Sequence, residues 1–164
     1  MTINRNKIVV VGAGLVGSST AFSLITQGIC DEVMIIDINK NKAKGEVMDL
    51  CHCVEYLNRN VKVTEGDYSD CADADIVVFA VKPQVLAQVL RPLYGQFDDK
   101  LVISIVAGAE IATISELLGT ERVVRVMPNT PALVQTGAHG LYATEQVNST
   151  DRELASQVLA ATGL

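Results

Sequence analysis

Between residues 8 and 37 the chain spells a strand, a glycine turn, a helix and a second strand, an order that few folds accept. Ile8-Val9-Val10-Val11 runs straight into Gly12-Ala13-Gly14-Leu15-Val16-Gly17, and the apolar run Val33-Met34-Ile35-Ile36 ends on Asp37. The spacing predicts that Gly12 makes a tight turn, that Gly14 lets a pyrophosphate reach the backbone, and that Gly17 lets the helix lie close on the strand. Free N–H groups and the positive dipole end at the helix start suit a diphosphate. Asp37 follows Gly17 by 20 residues, where a carboxylate can accept both ribose hydroxyls of an adenosine. These residues together predict a dinucleotide site.

The rest of the chain repeats the alternation. Strands are expected over 7–11, 33–37, 61–65, 76–81, 101–106, 122–127 and 139–144. Helices are expected over 15–27, ended by Gly28, over 40–56, from Pro83 to about residue 94, and over 111–118, stopped by Gly119. Pro92 should kink or shorten the third of these. Residues 67–75 read as an acidic loop, and Pro128-Asn129-Thr130-Pro131 as a rigid turn. Thr150-Asp151-Arg152-Glu153 reads as a capping box for a last helix running nearly to Leu164. Strand and helix in alternation imply right-handed crossovers and one doubly wound parallel α/β sheet of Rossmann type. The expected strand order is 3-2-1-4-5-6 plus a further C-terminal strand, with the ligand at the switch between the first and fourth strands.

Composition narrows the partners. Of 164 residues 49% are hydrophobic, with no Trp and few aromatics, so Val, Ile, Leu and Ala must fill the core, as parallel strands covered on both faces require. A formal charge of −6 argues against nucleic acid and anionic membrane as partners. No apolar stretch has the length of a membrane span, and no signal peptide precedes the first strand. Cys51-His52-Cys53 tempts a metal reading, but consecutive helical residues splay around the axis and no second ligand pair follows, so no metal is expected. Cys30, Cys51, Cys53 and Cys71 read as reduced thiols of a cytoplasmic protein.

Two family resemblances divide the chain. Residues 7 to about 79 resemble the L-lactate dehydrogenases of the lactate/malate dehydrogenase family. The likeness lies in the glycine turn with Ser18-Ser19-Thr20, in Asp37-Ile38-Asn39-Lys40, in Gly45-Glu46-Val47-Met48-Asp49-Leu50, and in Gly66-Asp67-Tyr68 with Asp73-Ala74-Asp75. From about residue 80 the chain resembles pyrroline-5-carboxylate reductase instead. Ala80-Val81-Lys82-Pro83-Gln84, Ser104-Ile105-Val106-Ala107-Gly108 and Arg122-Val123-Val124-Arg125-Val126-Met127-Pro128-Asn129-Thr130-Pro131 carry that likeness. The resemblances meet within residues 75–80 and imply an engineered chimera: a single domain over 1–164 whose halves, 1–79 and 80–164, share one strand.

The joined likeness implies a cofactor groove touching Gly12, Gly14, Leu15, Val16, Gly17, Asp37, Ile38, Tyr68, Ala80, Val81, Lys82, Pro83, Ala107, Gly108 and Asn129, the last beside Thr130. It also implies no complete catalytic set. The arginine-bearing loop of a lactate dehydrogenase is replaced by Lys82-Pro83-Gln84, and the chain stops at Leu164, before a reductase's helical C-terminal domain would begin. His139 reads as a solvated turn residue without a partner to orient it. Asp37 would repel a 2′-phosphate and Ile38 offers apolar contact to adenine, so NAD(H) is expected over NADP(H). The alternatives are an oxidoreductase with residual activity of either parent type, in which Lys82 attracts an anionic group, and a folded scaffold without ligand. Loss of the C-terminal domain is expected to expose apolar side chains near Leu141, Leu159 and Leu164, a surface for a homodimer.

Overall fold

The computed structural model describes residues 7–129, 131 and 136–160. Seven strands form one sheet in the order β3-β2-β1-β4-β5-β6-β7. They are β1 (Lys7–Val11), β2 (Glu32–Ile36), β3 (Lys62–Glu65), β4 (Ile76–Phe79), β5 (Leu101–Ser104), β6 (Val123–Met127) and β7 (Gly140–Ala143). The first six are parallel, and β7 pairs antiparallel with β6, Arg125 facing Tyr142. This is the expected order, with the extra strand on the β6 edge.

The strand residues explain why both faces are covered. β1 and β4 are apolar at nearly every position, and Ile8 to Val11 and Ile76 to Phe79 are at most 1% exposed. Such runs offer water no polar face, so helices must pack on either side. One face carries α1 (Leu15–Gln27), α2 (Lys40–Val54) and α5 (Ser149–Ala160), through Leu24, Ile25, Leu50 and Val158. The other carries α3 (Leu86–Leu90) and α4 (Ile111–Leu118), through Leu90 and Ile114. Val78 and Phe79, in the strand where the two resemblances meet, are buried among residues of both halves. Phe79 meets Phe97 at 6.1 Å between ring centroids, tilted by 56°.

Several expectations need correction. The helix expected from Pro83 to about residue 94 is three short segments: a 3-10 turn at Pro83–Val85, α3, and a second 3-10 turn at Arg91–Leu93. Pro92 lacks an N–H, so the regular ladder cannot pass through it. The acidic stretch after β3 is not a plain loop but a 3-10 helix, Tyr68–Asp73, closed by reciprocal bonds between Asp67 and Asp70. The last helix is capped by Asn148 rather than Thr150: Asn148 Oδ1 accepts the Asp151 N–H at 2.8 Å. Leu159 is 8% exposed and belongs to the core, and Leu141 is partly buried against it, so neither supplies the apolar surface expected there. Thr130 and Leu164, also named from the sequence, lie outside the described residues.

Candidate functional site

At the carboxyl ends of β1 and β4 the chain leaves in opposite directions, to α1 on one face and α3 on the other. A groove of about 380 Å³ opens there, with Gly12, Gly14, Asp37, Tyr68, Ala80 and Lys82 among its walls. In open α/β sheets this switch point is where the loops part and a ligand can enter.

The three glycines of the turn have different reasons to be there. Gly12 sits at φ 111°, and a Cβ on it would come 2.5 Å from the Ala80 carbonyl oxygen. A Cβ on Gly17 would lie 1.9 Å from the Gly12 carbonyl oxygen. The fold itself forbids a side chain at both. Gly14 is unlike them: it caps α1 in ordinary extended backbone (φ −78°, ψ 176°), and a Cβ there would meet nothing within 4 Å. Any demand for glycine at that position comes from outside the protein.

Around Gly14 the helix start is bare. No side chain caps α1, and no acidic residue stands in its first turn. The first helical N–H with an internal partner is that of Ser18, donating to the Gly14 carbonyl at 2.8 Å. Leu15 and Val16, exposed at 80% and 44%, begin the helix beside the groove, and neither amide has a backbone partner among the described residues. A helix N-terminus with free donors and no competing carboxylate favours an anion.

Asp37 ties the second strand to this turn. Its Oδ2 accepts the Ala13 N–H and its Oδ1 the Asn39 N–H, each at 2.8 Å. Each oxygen keeps a lone pair for a further donor, so the carboxylate is oriented without being consumed. Ile38 beside it is 81% exposed, an apolar side chain held out at the groove. Tyr68 closes the same end, and its phenol pKa is raised, first by burial and then by the Asp37 charge. Lys40 donates to the Gly66 carbonyl at 3.0 Å and pairs with Asp67, which fastens the start of α2 to the segment carrying Tyr68.

The structure brings Gly12, Gly14, Asp37, Ile38, Tyr68, Ala80, Val81 and Lys82 to one groove. Gly17, Leu15 and Val16 adjoin it through the turn, and Pro83 follows Lys82 in the 3-10 turn below. Ala107, Gly108 and Asn129 do not line it; they follow the ends of β5 and β6, and Asn129 Oδ1 accepts the Ala138 N–H at 3.0 Å. His139 is half-buried rather than solvated, its Nδ1 closed off from water. Lys42, which the sequence offers beside Lys40 as a cation that would soften repulsion of a 2′-phosphate, also lines the groove, whereas Val85, Gln88, Val89 and Pro92 were not foreseen there. The last four recur at helical spacing opposite buried Leu86, Leu90 and Leu93, a signal that was present in the sequence.

Comparisons with known proteins find both likenesses, the dehydrogenase one reaching past residue 80 and the reductase one covering nearly the whole chain. Residues 6–85 match the family described as lactate/malate dehydrogenase, NAD binding domain. An L-lactate dehydrogenase of Bacillus cereus is 51% identical over 83 residues, which is 51% of this chain and 26% of that protein. Across nearly the whole chain the fold is similar to a pyrroline-5-carboxylate reductase of Coxiella burnetii. That structure superposes with a TM-score of 0.83 at 29% identity, covering 98% of this chain and 58% of the reductase. A pyrroline carboxylate reductase of Plasmodium falciparum, solved with NADP bound, gives 0.76 at 27%, covering 97% of this chain and 56% of that one. The chain thus spans about a quarter of the curated relative and just over half of the reductases. Its first half is like a lactate dehydrogenase, and its whole fold is like just over half of a pyrroline-5-carboxylate reductase.

Proposed function

We propose that this chain is an engineered joining of two half-folds that meet within β4, and that its groove binds a nicotinamide dinucleotide, NAD(H) in preference to NADP(H), without turnover of its own. The observation that carries the binding reading is Gly14. Two glycines of the turn are demanded by the backbone around them, whereas the third leaves open space beside bare amides, the room a diphosphate needs. Asp37 supports the choice of NAD(H). Its carboxylate stands oriented for ribose hydroxyls, and a 2′-phosphate there would meet a like charge. Lys40 is held by Asp67 and Gly66 and would have to leave them to offset that repulsion.

When bound, the nicotinamide ring supplies the hydride chemistry. This chain's own residues would bind the diphosphate at the α1 amides, orient the ribose at Asp37, and cover the adenine with Ile38 and Tyr68. For proton transfer the groove offers little. Among its described lining residues Asp37, Lys42 and Tyr68 stand toward the adenosine end, and Lys82 is the titratable group at the β4 end. A general acid needs both reach and an orienting partner, and Lys82 is exposed with no ion pair among the described residues.

Calorimetry with NADH and NADPH tests the reading, together with the melting temperature as NADH is raised. Linkage requires a concentration-dependent rise if the native state binds. Gly14→Ala should keep the fold and lose NADH affinity at least tenfold. Equal or tighter binding of NADPH would overturn the preference, and no heat with NADH would leave a scaffold. NADH consumption with pyruvate or pyrroline-5-carboxylate should not exceed background; a robust rate would instead favour the reading in which Lys82 attracts an anionic substrate.

A further inference from the structure

Past Asp37 the groove runs between two largely apolar walls. On the β2 side of β1 stand Ile38, held out to solvent, and half-buried Tyr68. On the β4 side the segment after Lys82 brings Val85, Gln88, Val89 and Pro92 to the same space. Leu86, Leu90 and Leu93 of that segment are buried in the core, and the helical period turns the residues between them toward the groove. Gln88 stands three residues from Val85 and four from Pro92, the spacing at which side chains of a helical segment are neighbours.

An apolar slot accepts the flat faces of any base. One base is told from another by the donors and acceptors along its edge. Among the described lining residues with a hydrogen-bonding side chain, Asp37, Lys42, Tyr68 and Lys82 are ionisable, and Gln88 alone carries a carboxamide. A carboxamide holds an acceptor and a donor side by side. Adenine offers the complement, an N6 amine that donates beside a ring nitrogen that accepts. The Gln88 amide makes no hydrogen bond among the described residues, whereas Gln96 donates its Nε2 to the Pro92 carbonyl at 3.4 Å. Gln84, one turn earlier, is as exposed as Gln88 but does not line the groove. Position, and not exposure, sets Gln88 apart.

We propose that Gln88 is the residue that selects adenine. Its carboxamide oxygen accepts from the N6 amine and its Nε2 donates to the neighbouring ring nitrogen, while Ile38, Tyr68, Val85 and Val89 hold the ring whatever the base. This rests on the dinucleotide reading of the groove and adds the source of its base specificity.

Calorimetric titration with NAD+ and with its 1,N6-etheno derivative tests the assignment. The etheno bridge removes the N6 donor and leaves the diphosphate and both riboses unaltered, so either ligand reports the groove and only their ratio reports Gln88. The unaltered chain should bind NAD+ roughly tenfold tighter than the etheno derivative, as one bidentate amide–adenine pair provides. Gln88→Leu should bring that ratio to about one by weakening NAD+ alone, with the ligand-free melting temperature kept within about 2 °C. Gln88→Glu has the same size without the donor, and at about pH 8, where its carboxylate is ionised, it should lower the ratio likewise. An unlowered ratio in Gln88→Glu would mean that the wall rejects the etheno ring by bulk, and overturns the proposal. Equal binding of the two ligands by the unaltered chain, or a ratio that Gln88→Leu does not move, overturns it while the dinucleotide reading stands. Failure of both ligands to bind ends that reading and the proposal with it.

Discussion

Asp37 and Arg125 are charged residues on opposite sides of β4, one just past the carboxyl end of β2 and the other midway along β6, and the fold treats them differently. The carboxylate is gripped by two backbone N–H groups and so acts as a joint between strand and turn. The guanidinium is gripped by nothing among the described residues, although Asp151 secures its neighbour Arg122. A charge bonded to backbone is positioned before any ligand arrives, which lowers the ordering cost of binding. A charge without such bonds is held only by packing and by water at its exposed atoms. The β1 side is therefore a finished half-site, and the β6 side is not.

The largest effects should come from breaking the finished side where the fold, rather than the ligand, needs glycine. Gly17→Ala puts a Cβ 1.9 Å from the Gly12 carbonyl oxygen; backbone faces backbone, so neither can yield cheaply. A loss of roughly 4 kcal/mol or more is expected, read as an absent unfolding transition or a greatly lowered urea midpoint. Gly14→Ala is its control, with the midpoint unchanged. Equal loss in both would mean that the two glycines share one role and would remove the distinction on which the binding reading rests.

Phe97 tests the joint proposed within β4 from the other side. It lies after α3, in the half that resembles a reductase, and packs fully buried on Phe79 in the shared strand. Phe97→Ala should cost about 3–5 kcal/mol. A much smaller cost would mean that the packing around β4 is already loose there and collapses around the missing ring. Next in size is Asp151→Ala, which strips Arg122 of its partner and the Asn148 side-chain amide of its acceptor, while the backbone N–H of the cap stays bonded. The pair is partly exposed, at 28% and 11% for the two side chains. The expected cost is therefore about 2–3 kcal/mol, below that of a wholly buried pair, and Arg122→Met with Asp151→Leu together should recover part of it.

The sequence was most legible where one physical requirement dominated. β1, α1 and α4 begin and end where apolar period and flanking glycine put them, with Gly28 and Gly119 closing the two helices at positive φ. The strand order followed from alternation alone. Legibility failed where requirements competed. Around Pro92 the apolar spacing asked for one helix and the missing N–H ended it at Leu90, the shortening that Pro92 announced, though the spacing does not say which face of it borders the groove. In residues 67–75 acidic composition suggested loop, but Asp67 and Asp70 cap each other and make a helical turn. Thr150 matched a capping pattern that Asn148, two residues earlier, satisfied first. Arg125 was quoted only as part of a resemblance; its missing partner is a fact of three-dimensional packing that no spacing reports.

An effect that is absent at neutral pH returns to the β1 side, which also holds every cysteine. Burial pushes the Cys30 and Cys71 thiols from 9.0 up to about 12, with Asp31 and Asp70 adding to the rise. In the unfolded chain these thiols lose their protons near the ordinary value, whereas in the fold they keep them up to about 12. Between those values the native state holds more protons than the unfolded one, so stability is whole below 9.0 and drains away as pH climbs toward about 12. The melting temperature should therefore fall from about pH 8 to about pH 10.5, and Cys30→Ala with Cys71→Ala should flatten that slope whatever it does to the starting level. Lysines and tyrosines titrate over the same range, which is why the difference in slope, and not the slope itself, carries the result. Exposed Cys51 should meanwhile react with a thiol reagent at neutral pH long before either buried thiol. An unchanged slope would mean that the two thiols reach water near β2 and β4 before the rest of the sheet opens, and the β1 side would then be the looser of the two.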